Sequence, residues 1–355
     1  MDFGLLILRI PPQEGRLCVG AEKNKKQPFG AGGRGQRLEG MALSAEQKSA
    51  YGINGELYGS AKRVPYNLLI IRTATLYLRL ADKLKKTPGD LNSRTFAVKG
   101  YQDLPVPVEL IEPAKERGDL PVLIDIHGGA FSYPASPHHK ELAYQYAREV
   151  PCRVLLPDYH LLPRYPYPAA FLDNLAVYKW VTAHAPQLRI EENHIIVAGD
   201  SAGAALAACV VNSYEKEGLT RPCGQVLIYP AADASLSTGS MEKYADTPLW
   251  NAVNNRKMWR YYLQGKSEQE RKEASPLHHE LPQGLPETYL ETAEYDCLHD
   301  EGIAYANKVR AAGAGVLVNE TKGTFHGYDS CLDAAVTRAN VKKRIAFMRD
   351  LLREK

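Results

Sequence analysis

The feature that most restricts the fold is a rhythm: from residue 122 onward, short β-branched or aliphatic runs alternate with helix-length amphipathic stretches. The runs are Val122 to Ile126, Val154 to Leu156, Ile195 to Val197, Val226 to Tyr229, Thr288 to Glu291 and Val316 to Val318. Helical spacing fills most intervals, notably His139 to Glu149, Ala169 to Ala183, Ala202 to Glu215 and Glu301 to Ala312, and Cys331 to Arg353 reads as one more helix. Parallel strands need a crossover of a dozen or more residues, and a helix supplies it. The pattern therefore predicts an α/β architecture, a mostly parallel central sheet flanked by helices. Two earlier runs, Thr95 to Val98 and Val106 to Ile111, read as further strands.

Two segments do not fit simple crossovers. Leu43 to Lys86 has a helical pattern, with Leu68, Leu69, Ile71, Leu76, Leu78 and Leu80 set among basic residues before Pro88 and Gly89 break it. Between Ala231 and Pro286 lie 56 residues, far more than a crossover needs. Together they predict a helical cap over one end of the sheet, with Tyr66, Tyr77, Trp250 and Trp259 as its aromatic residues. The expected domains are an N-terminal extension over 1–40, N-terminal helices of the cap over 41–94, and the α/β domain over 95–355 with a cap insertion around 231–286. Residues 1–40 hold 8 of the 28 glycines, and their 7 basic against 4 acidic residues account for the whole net charge of +3. Such a stretch buries too little surface to offset its ordering entropy, so it is expected to be disordered. Met41, with Ser44 and Gln47 shaped as a helix start, reads as an alternative beginning.

Charge and cysteine usage exclude several function classes. With 44 basic and 41 acidic residues, the chain as a whole advertises neither a nucleic acid nor a membrane surface. Six dispersed cysteines, with no C-x-x-C pair, argue against a zinc site and a disulfide framework and for a reducing cytoplasm. The apolar run Ala204 to Val211 is far short of the roughly 20 residues a membrane span requires, and the N-terminus has no cleavable signal pattern.

The chemistry gathers at four strand ends. Gly199-Asp200-Ser201-Ala202-Gly203 matches G-x-S-x-G between the strand His194 to Ala198 and the helix from Ala202, the strand-turn-helix setting of a nucleophile elbow. A serine nucleophile needs a base, and the base needs a carboxylate to fix its tautomer. Asp296 follows one predicted strand and His326 the next, in the order serine, acid, histidine. Glu294, Asp300 and Asp329 compete for the acid's place. The histidines at 138, 139, 278 and 279 are expected to face solvent. A developing oxyanion needs aimed N–H donors; His127-Gly128-Gly129-Ala130 after the strand Val122 to Ile126 supplies glycine-lined backbone, and Ala202 follows the serine.

These motifs, with Tyr295-Asp296-Cys297-Leu298-His299-Asp300, Thr324-Phe325-His326-Gly327 and Asp158-Tyr159-His160-Leu161-Leu162-Pro163, resemble the hormone-sensitive-lipase-like carboxylesterases over roughly residues 95–350. The resemblance implies an α/β-hydrolase fold and a triad of Ser201, Asp296 and His326. It implies an oxyanion hole from Gly128 or Gly129 with Ala130 and Ala202, a helical cap, and no cofactor or metal. Three positions make two departures from the family: Ala130 replaces a third glycine, and His160 and Arg164 replace an arginine and a glutamate whose ion pair would brace a loop.

The function so implied is hydrolysis of short-chain acyl esters through an acyl-enzyme. An acetyl esterase or deacetylase, or an arylformamidase-type amidase, would use the same triad. A ligand receptor of the same fold is the alternative from another class. The expected partner is a small-molecule ester, without nucleic acid or membrane span, and a homodimer is the one assembly kept open.

Overall fold

The computed structural model describes residues 51–116 and 118–353. Its sheet comprises β1 (Leu91–Lys99), β2 (Pro105–Pro113), β3 (Leu120–Ile126), β4 (Arg153–Pro157), β5 (Ile190–Asp200), β6 (Gly224–Ile228), β7 (Glu287–Tyr295) and β8 (Val316–Phe325). Their spatial order is β1-β2-β4-β3-β5-β6-β7-β8, antiparallel at β1–β2 and β2–β4 and parallel at every later pairing. Each expected run thus falls on a strand, except that Tyr229 lies one residue beyond the end of β6. Where one differs from its apolar run, the polar residues at its ends are held by the ladder and carry no hydrophobic signal. The sheet begins at Leu91, four residues before the expected domain edge.

The helices are α1 (Leu68–Leu84), α2 (Pro137–Glu149), α3 (Ala169–Ala183), α4 (Ala202–Ser213), α5 (Ala252–Tyr262), α6 (His299–Ala311) and α7 (Ala335–Leu351). Strand side chains alternate between two cores, as a pleat of period two requires. Val122, Ile124, Ile126, Ile195 and Val197 join α3, α4 and α6 in one core. Leu123, Ile196 and Ala198 join α2 and α7 in the other. All five residues of β4 and of β6 are buried, and their centres, Val154–Leu156 and Val226–Ile228, read as continuous apolar runs.

The helical reading of Leu43 to Lys86 holds only from Leu68 to Leu84. Residues 51–67 form turns around a short 3-10 segment, Gly55–Leu57, while 43–50 lie outside the described residues, as do the expectations for 1–40 and Met41. Glycines at 52, 55 and 59 and Pro65 weaken helix there, and tertiary partners take the backbone groups. Leu249 N–H donates to Lys62 O (2.7 Å), Tyr66 N–H to Asn254 Oδ1 (3.1 Å), and Asn254 Nδ2 to Val64 O (2.7 Å). The segment from Ala231 to Pro286 contains α5 and two short helices, Gly239–Lys243 and Glu268–Glu273. Among the described residues no helix is long and apolar enough to cross a membrane.

A buried charge network ties α7 to the sheet. Arg344, 1% exposed, donates to Glu291 Oε1 (2.5 Å) on β7 and to Asp329 Oδ2 (2.9 Å), whose other oxygen accepts Tyr229 Oη–H (2.5 Å). Arg344→Met would strand two buried carboxylates. The expected loss is about 3–5 kcal/mol, read in urea unfolding as a lower midpoint at unchanged slope.

Candidate active site

Ser201 is the one residue between β5 and α4, and its backbone takes φ 53° and ψ −118°. A conformation so sparsely populated costs about 1–3 kcal/mol and persists only where its surroundings hold it. They do: Ser201 N–H donates to Ile228 O at the end of β6 (2.8 Å), and Ser201 O accepts Ala231 N–H (3.2 Å). Gly199 is demanded by close approach, since a Cβ there would lie 2.6 Å from the carbonyl oxygens of both Ile126 and Gly203.

Asp296 is the first residue after β7 and His326 the first after β8, so parallel strands deliver both to the carboxyl end of the sheet. His326 Nδ1 lies 2.7 Å from Asp296 Oδ2, and its Nε2 lies 2.8 Å from Ser201 Oγ. The second Asp296 oxygen accepts Leu298 N–H at 3.0 Å, which fixes the carboxylate. The competing acids have other partners. Glu294 accepts Gly323 N–H (2.8 Å), Asp300 accepts Ser240 N–H (2.8 Å), and Asp329 pairs with Arg344.

The loop after β3 turns through positive φ at Gly129 (120°), Ala130 (55°) and Phe131 (55°), so Ala130 occupies the left-handed region despite its methyl group. Gly128 N–H donates to Asp200 Oδ1 at 2.7 Å. The amides of Gly129, Ala130 and Ala202 donate to no acceptor among the described residues. His160 takes over the bracing in its loop: its N–H and its Nδ1 each lie 2.7 Å from Asp173 Oδ2, a fully buried carboxylate on α3.

His138 and His139 do not face solvent as expected. His139 is 8% exposed, and its Nε2 lies 3.1 Å from Asp200 Oδ1 in an ion-pair contact without hydrogen-bond alignment. Burial alone would lower the His139 pKa, but the Asp200 carboxylate outweighs it and raises the value. Burial likewise pushes Asp200 up, and His139 with the Gly128 amide holds it well below the usual carboxylate range. Desolvation, together with the nearby His139 charge, pushes His127 down to about 4 and His138 to about 3. Of the three imidazoles in the cluster, only His139 is shifted toward its charged form. In sequence these histidines look like exposed residues of a first helical turn, because only the tertiary fold tucks α2 under the elbow.

A cavity of about 300 Å³ opens on Ser201 and His326, walled by Ile70, Ala74 and Leu78 of α1 and by Val64, Tyr66, Leu249 and Trp250. Two of the four expected cap aromatics, Tyr66 and Trp250, line it. Trp259 instead packs in the core against Phe131 and Tyr262, and Tyr77 points to solvent. Among the described residues no group of three or more His, Cys, Asp or Glu side chains could hold a metal ion.

A protein family described as having the alpha/beta hydrolase fold matches residues 123–330. The carboxylesterase NlhH of Mycobacterium tuberculosis is 32% identical over 253 residues, covering 68% of this chain and 78% of that protein. The chain belongs to the α/β-hydrolase family. It is a carboxylic ester hydrolase, and the resemblance to the hormone-sensitive-lipase-like carboxylesterases is borne out. Ethyl acetate hydrolase of Pseudomonas putida is 29% identical over 63% of this hydrolase and 71% of its own length. Among solved structures, a bacterial heroin esterase superposes with a TM-score of 0.78 at 31% identity, covering 85% of this chain and 98% of that one.

The raised pKa of His139 has a stability consequence of definite sign. A histidine raised above its unfolded value of about 6.5 contributes fully below that pH and loses its contribution as pH rises through the folded value. The Tm advantage of the native protein over His139→Gln should therefore be largest near pH 6 and shrink on the alkaline side, a comparison calorimetry at matched ionic strength checks.

Proposed function

We propose that Ser201, His326 and Asp296 are the catalytic triad of a short-chain acyl esterase. The observation that carries this is the continuous contact Asp296–His326–Ser201, at 2.7 and 2.8 Å, facing the apolar cavity. Ser201 Oγ attacks the ester carbonyl carbon while His326 Nε2 takes its proton, and Asp296 holds Nδ1–H and steadies the imidazolium. The C–O bond to the alcohol then breaks, and His326 returns the proton to the leaving alkoxide. Water, deprotonated by His326, attacks the acyl-enzyme in turn and releases the acid. Negative charge on the tetrahedral oxygen meets the N–H groups of Gly129, Ala130 and Ala202. Gly128 is left out because its amide already serves Asp200.

We read residues 41–94 and 231–286 as the cap over the α/β domain, and 1–40 as an extension. The wall that Ile70, Leu78, Leu249 and Trp250 give the cavity supports this division. The described cysteines are all free, which supports a cytoplasmic setting. The cavity volume suits a small acyl group, and one relative is named for ethyl acetate hydrolysis.

Ser201→Ala should lower kcat on the order of a millionfold with the fold intact. Asp296→Asn should also cripple turnover through loss of tautomer control, whereas Asp300→Asn should be far milder; the reverse ranking would displace Asp296 from the triad. Each added acyl methylene should gain about 0.8 kcal/mol until the cavity ends. Across p-nitrophenyl esters kcat/KM should peak between acetyl and about hexanoyl, and a peak at about ten carbons or beyond would refute a closed pocket.

A further inference from the structure

Helix α1 carries two apolar stripes, about a third of a turn apart. Ile70, Ala74 and Leu78 turn inward to the cavity, as a core-facing stripe should. The outward side carries Leu69 (71% exposed), Leu76 (64%), Tyr77 (56%), Leu80 (53%) and Leu84 (81%). At 100° per residue these five fall in one stripe, since 69, 76, 80 and 84 are spaced seven, four and four apart. Of the ten large apolar side chains that are exposed among the described residues, six lie on this helix. Such concentration is not the scatter of single apolar residues that any surface shows.

Charge along the helix indicates what covers the stripe. From residue 68 to 86 the chain has five basic residues (Arg72, Arg79, Lys83, Lys85, Lys86) and one acidic residue, Asp82. Asp82 is already paired with Lys140, Arg79 with Asp158, and Lys85 with Glu141. Arg72, Lys83 and Lys86 form no ion pair among the described residues, and the first two edge the stripe on one side. A second copy docked through the same face would bring the same cationic edge, and its α1 has no acid left unpaired to meet it. An anionic lipid surface answers both features: headgroups neutralise the basic edge, and acyl chains receive the leucines.

We propose that the outward face of α1 docks this esterase on anionic phospholipid surfaces, lying in the interface rather than crossing it. This rests on the esterase reading, because the same helix walls the cavity that opens on Ser201. An ester dissolved in the lipid layer would then reach the serine past a single helix thickness. The balanced composition of the whole chain conceals this, since the cationic bias is confined to one helix.

The test uses the full chain, sucrose-loaded vesicles and a separate assay on water-soluble p-nitrophenyl acetate. The native protein should sediment with phosphatidylcholine–phosphatidylglycerol vesicles, and more weakly with phosphatidylcholine alone or at high salt. The variant Leu76→Glu/Leu80→Glu should bind about tenfold or more weakly, given the apolar area withdrawn. It should retain soluble-ester turnover, because neither side chain lines the cavity. Arg72→Ala/Lys83→Ala should weaken binding to the anionic vesicles alone. Failure of the native protein to bind, or equal binding by the Glu variant, would overturn docking. So would a native dimer that the Glu variant dissociates, with no vesicle binding, which would assign the stripe to a second copy. Loss of the Ser201-dependent soluble assay would instead count against the esterase reading and leave the vesicle result to be read by itself.

Discussion

Everything at the site depends on one strained residue. Ser201 must hold φ 53° so that its hydroxyl stands clear of both the strand it ends and the helix it begins. Hydrogen bonds to Ile228 and from Ala231 fix the turn from the β6 side. From the β3 side, Ile126 approaches so closely that position 199 has no room for a side chain. The cost of the turn is thus met by the neighbouring parallel strands β3 and β6. That Ser201 sits at the centre of the sheet and not on its rim follows from this: elsewhere too few neighbours would enforce the conformation.

The second constraint is electrostatic and lies behind the serine. Asp200, inside the G-x-S-x-G motif, binds the Gly128 amide and contacts His139, so elbow, glycine loop and α2 share one charge centre. This holds Gly128 in place and leaves the next two amides uncommitted. On the other side, the Arg344 network reaches the site through Tyr229, whose hydroxyl binds Asp329 and whose ring packs 4.5 Å from His326. Two buried charge clusters therefore frame the imidazole and the serine without either supplying a reacting group. Buried charges of this kind tolerate little rearrangement, because each lost partner exposes an uncompensated ion to low dielectric.

Local pattern carried a great deal. Period-two and helical periodicity marked every strand of the described sheet and most of its helices, because a buried parallel strand is apolar on both faces and its crossover helix is amphipathic. The order of serine, acid and histidine, each just past a strand, also named the residues that meet. What periodicity misread was residues 51–67, where tertiary hydrogen bonds from Asn254 and Leu249 replace helical ones. It likewise misread His139, whose burial depends on how α2 packs under the elbow.

The sequence by itself determined the architecture, pointed to the serine and the histidine and favoured Asp296 over three neighbouring acids, since these follow from short-range signals: hydrophobic period, turn chemistry and position relative to strand ends. Only the tertiary structure decided which carboxylate touches His326, which glycine amide stays free, and which faces of α1 look inward and outward. Those are distances between residues far apart in the chain. Asp296 and Asp300 are four residues apart in sequence and equally acidic, yet one bonds the imidazole at 2.7 Å and the other caps Ser240. The physical reason is that a hydrogen bond selects for an ångström of placement, which composition and spacing do not encode until strands β5, β7 and β8 lie side by side in the folded sheet.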